Sequence, residues 1–369
     1  MLQRPPAEPG MSEADIDTPA LIIDLDAMES NLDRMAAFCR TSGVRLRAHA
    51  KTHKSPVIAH WQIAHGAVGQ CVQKTAEAEV LAWGGVGDIL VSNEVVSTRK
   101  LARLAALSKM SKIAVCADNA AVIDQIEALA ESRAIRMTVL VEIDVSGGRC
   151  GVGAGEPAAV LATRIARSRH LTFGGLQAYQ GGAQHLRTEE ERSEAIGRAV
   201  AKTADTIAAI RRQNLECAIV GGAGTGTFSH EAASGVYTEL QAGSYLFMDA
   251  DYARNRPAPP FQQSLFVLST VMSAARDGIA VLDCGHKGVA VDSGLPLVHA
   301  RQDIEFTSAS DEHGALVVRS GPGSLAIGET LRLVPGHCDP TVDRYDWYVG
   351  VRGGHVETVF PVAARGMMQ

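Results

Sequence analysis

The stretch RLRAHAKTHK, Arg45 to Lys54, gathers basic side chains and two histidines around Lys51. Val44 and Leu46 begin it as a strand, and Lys51 falls at that strand's far end. In barrel folds the carboxyl ends of the strands are where active sites are built. A lysine there suits Schiff-base chemistry, because its neutral amine attacks a carbonyl and nearby cations or burial lower its pKa. Arg45, Arg47 and Lys54 are the cations at hand, and a solvated basic strand end is the plainer reading. Two glycine-rich segments lie far downstream. GGAGTGTF (Gly221–Phe228) follows the run CAIV, and QAGSYLF follows it in turn. Their amides, with the Thr225 and Ser244 hydroxyls, can cradle a phosphate. The GxGxxG spacing is missing and no acidic residue stands at the distance a nicotinamide dinucleotide site requires. An early-strand lysine and a late-strand phosphate cradle together point to pyridoxal phosphate, an aldehyde with a phosphate tail. A third feature is His337 and Asp339 in GHCDPT. In an extended segment residues two apart share a side. Imidazole plus carboxylate suits Mn²⁺, Mg²⁺ or Co²⁺, with water or substrate completing the shell. A turn-capping aspartate before Pro340 is the plainer reading.

These residues need a frame. The chain has 369 residues, 46% hydrophobic and 21% charged, which is globular composition. The net charge of −6 comes without a basic stripe, which argues against a nucleic-acid partner. The opening MLQRPPAEPG puts prolines where a signal peptide needs an apolar run. No stretch approaches the ~20 apolar residues of a membrane span. Seven cysteines without CxxC pairs suggest reduced thiols and a cytoplasmic protein. From ALIIDLD to CAIVGGAG, short and almost continuously apolar runs alternate with segments of helical period such as AAVIDQIEALAESR. Strands covered on both faces read this way. The pattern predicts a (β/α)8 TIM barrel over residues 18–252, with a doubly wound sheet as the alternative. After MDADYARNRPAPP the helical pattern stops, and runs such as SLFVLSTVMSA and DWYVGVRGG alternate with Gly, Pro and Asp turns. This predicts a smaller β domain over 253–369, onto which residues 1–17 could fold back.

The segments DTPALIIDLDAMESNLDRM, RAHAKTHKS, CVQKTAEAE, VEIDVSGGRCGV, GLQAYQGGAQH, GGAGTGTF, ELQAGSYLFMDADY and LVPGHCDPTVDRYDWYVGVR span nearly the whole chain. As a set they resemble the D-threonine aldolase and D-serine dehydratase-like family of fold-type III, alanine racemase-type pyridoxal phosphate enzymes. SDEHG, PGHCDPT, DWYVGVR and PVAARG are most similar to the branch acting on 3-hydroxy-D-aspartate. The resemblance implies a dimer of chains, each an alanine racemase N-terminal-like barrel with a C-terminal β domain. It makes Lys51 the Schiff-base lysine, with Lys54 the competing candidate. It places Gln73, Thr225, Gly243, Ser244 and Tyr252 at cofactor contacts, Arg149 near the phenolic oxygen and Tyr179 beside the ring. Ala48 stands where many relatives have proline. His337 and Asp339 match the metal ligands; a cysteine at the second position would mark the dehydratase branch. His185 matches a histidine that either moves a proton or supports residues that do. The implied reaction breaks or forms the Cα–Cβ bond of a D-configured β-hydroxy-α-amino acid. Hydroxyaspartate gives glycine and glyoxylate; threonine gives glycine and acetaldehyde. A dehydratase, a racemase and a non-catalytic pyridoxal phosphate carrier are the rivals. For a substrate β-carboxylate, His313, Arg301, Arg319 and Arg344 are all open as partners.

Overall fold

A computed structural model describes residues 3–145, 148–319 and 325–369. Two residues of the SGGRCG motif, Ser146 and Gly147, lie outside the described residues, as does Ser320 at the end of ALVVRS. Eight parallel strands close a barrel: β2 (Arg45–His49), β3 (Gly69–Val72), β4 (Asp88–Glu94), β5 (Lys112–Ala117), β6 (Met137–Glu142), β7 (Leu171–Gln177), β8 (Ile219–Gly222) and β9 (Glu239–Leu240). Alternation along each strand divides the work. Cys71, Leu90, Cys116 and Leu140 fill the interior as one cluster, while Val72, Ile89, Val91, Val115, Val139 and Val141 face the helical layer. Both faces are therefore apolar, which is why the strands read as unbroken hydrophobic runs.

The barrel differs from the sequence expectation at both its first and its last strand. β1 (Ala20–Asp24), counted there among the barrel repeats, lies in the second sheet, antiparallel to β10 (Leu265–Arg276) and parallel to β16 (Trp347–Arg352). Ala20 to Ile23 are fully buried, with Ala20 and Ile22 against Phe266 and Val349 on one face and Leu21 and Ile23 in the main core on the other. A strand sandwiched in this way carries the same apolar signature as a barrel strand. The eighth barrel strand is instead Glu239–Leu240, two residues, too short to register as an apolar run. Helix α1 (Leu25–Ser42), capped by Asp24 on the amide of Ala27 at 3.0 Å, carries the chain from the second sheet to the barrel. Its Met28, Leu32 and Met35 join Leu46, Phe247 and Leu265 in one core, so the two parts share their packing.

Among the described residues the second sheet has nine strands, and β1, β10 and β16 lie side by side within it. Residues ahead of β1 lie along it: the Gly10 amide donates to Val356 O at 2.8 Å, and Glu13 pairs with Arg332. One element here departs from the all-strand expectation. Cys338–Val342 is a short helix, and His337, extended at φ −144°, is its N-cap. His337 and Asp339 thus straddle a strand-to-helix junction instead of sharing one extended run.

Candidate active site

One cavity of about 250 Å³ at the carboxyl end of the barrel is lined by the residues to which the resemblance assigns a catalytic, cofactor or metal role: Lys51, Gln73, Arg149, Tyr179, His185, Thr225, Gly243, Ser244, Tyr252, His337 and Asp339. β2 sets the first of them. Leu46 and Ala48 point to the outer core, so Arg47 and His49 point inward. Arg47 is spent low in the barrel, where its Nε donates to Glu239 Oε2 at 2.8 Å and Nη1 to Asp88 Oδ1 at 2.6 Å. His49, one pleat higher, reaches Gln73 Nε2 at 2.9 Å and Ser92 Oγ at 3.3 Å. Burial and the neighbouring Lys51 charge hold His49 well below its ordinary pKa, so the ring is neutral.

Lys51 stands in the turn after β2, its side chain 44% exposed and its Nζ 3.4 Å from Asp339 Oδ2. The cations expected to lower its pKa are paired elsewhere. Arg45 and Arg47 are engaged with Glu239, and Lys54 with Glu77 at 3.2 Å and Asp343 at 2.9 Å. The Asp339 carboxylate instead raises the Lys51 pKa, against burial. Asp339 is correspondingly held down to about 2: the Lys51 charge, the largest influence acting downward, together with His337 and hydrogen bonds to the carboxylate, outweighs its desolvation, the largest single influence and one that acts upward. Lys54 is buried, with φ 51°, and ties α3 (Thr75–Trp83) of the barrel to the second domain through Glu77, Asp343 and Ala364 O. It does not line the cavity.

The far wall is the glycine-rich pair. A side chain at Gly224 would put its Cβ 2.4 Å from Gln184 Oε1, and one at Gly243 would meet Thr52 Oγ1 at 2.5 Å and His49 O at 2.7 Å. Glycine is needed at both positions because other backbone and side chains press against them. Thr225 Oγ1 is buried without a hydrogen-bond partner, and so is Thr52 Oγ1. A buried orphan hydroxyl costs roughly 1–3 kcal/mol. A phosphate at the Thr225 cradle would supply the missing acceptor, so the residues present fit pyridoxal phosphate. Behind this loop, Glu231 of the short helix Phe228–Ala233 accepts from Thr227 Oγ1 at 2.9 Å but leaves Oε2 without a partner. Burial pushes its pKa from 4.5 to about 8. The folded chain therefore holds a proton that the unfolded chain releases. The stability tied to that proton is intact below 4.5 and is lost as pH rises to 8. Glu231→Gln is expected to melt progressively above wild type between these limits, read as the gap in Tm across a pH series.

Two aromatic groups frame the mouth. The Arg149 guanidinium lies 5.4 Å from the centroid of the Tyr179 ring, and the Tyr252 ring stacks on His185 at 6.5 Å. Arg149 Nη2 lies 3.9 Å from Glu142 Oε1. His337 Nδ1 meets Asp292 Oδ2 at 2.8 Å. A carboxylate accepts only, so Nδ1 carries a hydrogen, and Nε2 is the nitrogen that a neutral ring would offer to a metal. The residues left open for a β-carboxylate are elsewhere. Arg301 pairs with Asp303, Arg319 with Glu305, Arg344 donates to the carbonyls of His286 and Pro340, and neither they nor His313 line the cavity.

Gln177, Gln184, Gln241, Asp249 and Asp251 line the same cavity but were not singled out in the sequence. For Gln177 and Gln241 a signal exists. Each ends a barrel strand or follows it directly, inward-facing, and their amides pair across the barrel at 2.8 Å. Asp249 and Asp251 had none, since they sit in an irregular segment whose path only the fold sets.

The alanine racemase N-terminal domain family matches residues 23–251, and a serine dehydratase domain matches residues 264–351. The chain belongs to the alanine racemase N-terminal domain family, the barrel class of pyridoxal phosphate enzymes. Within that class it is similar to two curated proteins over almost its whole length. One is the 3-hydroxy-D-aspartate aldolase of Paracoccus denitrificans (strain Pd 1222), 45% identical, covering 98% of this chain and 95% of the relative. The other is the D-threonine aldolase of Arthrobacter sp., 44% identical, covering 98% and 96%. The crystal structure of D-threonine aldolase from Filomicrobium marinum superposes with a TM-score of 0.97 at 47% identity, covering 99% of this chain and all of that one.

Proposed function

We propose that the protein is a pyridoxal phosphate- and divalent metal-dependent aldolase. Its reaction cleaves or forms the Cα–Cβ bond of a D-configured β-hydroxy-α-amino acid, with 3-hydroxy-D-aspartate, glycine and glyoxylate as the reactants. One observation carries the reading: Lys51 Nζ lies 3.4 Å from Asp339, so an amine that could carry the cofactor and a His–Asp pair that could hold an ion open on the same small cavity. Similarity to the aldolases named above supports the substrate class and the D configuration.

In this reading Lys51 is the point of covalent attachment. Thr225, Gly243 and Ser244 would hold the phosphate, and Gln73, Arg149, Tyr179 and Tyr252 would line the rest of the cofactor site. Bound pyridoxal phosphate supplies an electron sink for the pair left on Cα. His337 and Asp339 would hold Mn²⁺, Mg²⁺ or Co²⁺, a Lewis acid for the substrate's β-hydroxyl. His185, at the mouth, takes the hydroxyl proton as the bond breaks. Lys51, lining the same cavity, would be the group that returns a proton to Cα. A homodimer in the cytoplasm completes the proposal, and seven free cysteines accord with a reducing compartment.

The test is a product assay with pyridoxal phosphate and Mn²⁺ on D-3-hydroxyaspartate, D-threonine and their L forms, with and without chelator. Glyoxylate plus glycine, lost on chelation, is the expected result. Acetaldehyde from D-threonine as the faster product would make it a D-threonine aldolase. The serine dehydratase match over residues 264–351 favours a second reading, and keto acid plus ammonia would establish it.

A further inference from the structure

His185 sits in a 3-10 turn, Gly182–His185, between β7 and α7 (Glu189–Arg211), and the turn is bolted on both sides. Arg192 is 2% exposed. It donates to the carbonyls of Leu186 at 3.0 Å, Arg187 at 2.9 Å, and Arg256 and Pro257 at 3.2 Å each. Gln184 donates to Thr227 Oγ1 at 2.8 Å and accepts from the Gly226 amide at 2.9 Å, and Asn255 donates to its carbonyl at 3.2 Å. The backbone around His185 is therefore fixed to the phosphate-cradle loop and to the segment that carries Asp251.

The side chain is fixed as well. His185 Nδ1 is 2.7 Å from Asp251 Oδ2, and Asp251 is itself buried. The other Asp251 oxygen accepts from Arg187 Nη2 at 2.5 Å, while Arg187 Nη1 donates to the Asp251 carbonyl at 2.9 Å. Because the carboxylate only accepts, the ring hydrogen is on Nδ1 and Nε2 is the nitrogen left for a substrate. Arg187, with Arg254 Nη2 at 3.4 Å from the same oxygen, balances the Asp251 charge. We propose that Asp251, its charge balanced by Arg187, is the positioning residue that presents His185 Nε2 to the β-hydroxyl of the substrate. This inference rests on the role given to His185 above.

Asp251→Asn tests it in the cofactor- and metal-loaded enzyme. Arg187 is an obligate donor, so the oxygen of the substituted side chain must face it and the amide must face His185. Nδ1 then has to accept, and the ring proton moves to Nε2. The His185 signal, identified in ¹⁵N-histidine spectra by its loss in His185→Asn, is expected to switch from the Nδ1–H to the Nε2–H pattern. kcat is expected to fall about 10²-fold with KM little changed, within the range for a lost general base. A merely structural Asp251 would lower Tm and leave the tautomer alone. An unchanged tautomer, or a switched tautomer with unchanged kcat, overturns the inference. Full kcat in His185→Asn overturns the role of His185 itself, and the two failures are told apart because the tautomer is read without turnover.

Discussion

With alanine at position 51, the protein is expected to carry no cofactor through borohydride reduction and to lose about 10³-fold or more in kcat, as removal of a covalent anchor and proton carrier implies. The argument is one of availability. Both lysines of the AKTHK run leave the same strand end, but they meet different surroundings. Lys54 is locked between two carboxylates and a carbonyl, away from the cavity, and freeing it would strand Glu77 in a buried site. Lys51 pairs, among the described residues, with the Asp339 carboxylate, and lines the cavity that holds the phosphate cradle. Lys54→Ala is the control: it is expected to retain the reducible cofactor while melting lower, because a buried pair loses one partner. Mass spectrometry of the reduced, digested protein reads both outcomes. A cofactor-bearing peptide that persists in Lys51→Ala and disappears in Lys54→Ala would reverse the assignment.

Much of this arrangement was legible in the sequence because barrel architecture ties position to role. An apolar run fixes a strand, the strand's end fixes a height, and Lys51, Tyr179 and the glycine loop all fall at that height. What the pattern could not give was partnership between strands. β1 reads like any barrel strand, since burial on both faces produces the same apolar run in a sheet as in a barrel. Charge effects on Lys51 were equally hidden. Local sequence surrounds it with cations, yet the residue that governs its pKa, Asp339, arrives from the second domain near the other end of the chain. The misreading of Arg45 and Arg47 has the same origin, since their partner Glu239 belongs to the two-residue strand that closes the barrel.

The second large effect falls on His337 and Asp339. Either one replaced by alanine is expected to abolish stimulation by Mn²⁺ and to lower kcat about 10²- to 10³-fold, in line with the loss of one strong electrostatic stabiliser. Bound pyridoxal phosphate should be retained, because neither residue belongs to the phosphate cradle. The donor set predicts how the ion behaves. Among the described residues no cluster of three or more His, Cys, Asp or Glu side chains is placed to hold a metal. An ion held by His337 and Asp339 alone must fill its shell with water or substrate, so it should exchange readily and be stripped by chelators. Asp292 favours the site by holding His337 through Nδ1, which leaves Nε2 as the nitrogen for an ion. The low pKa of Asp339, about 2, keeps its carboxylate ionised across the working pH range. Manganese titration of the purified holoenzyme by electron paramagnetic resonance gives a readout independent of turnover. Wild type should bind one ion per chain that EDTA removes, and the two variants should bind none. Full activity in either variant, or in chelated wild type, would take the metal out of the mechanism and leave the field of Asp339 on Lys51 as the function of that carboxylate.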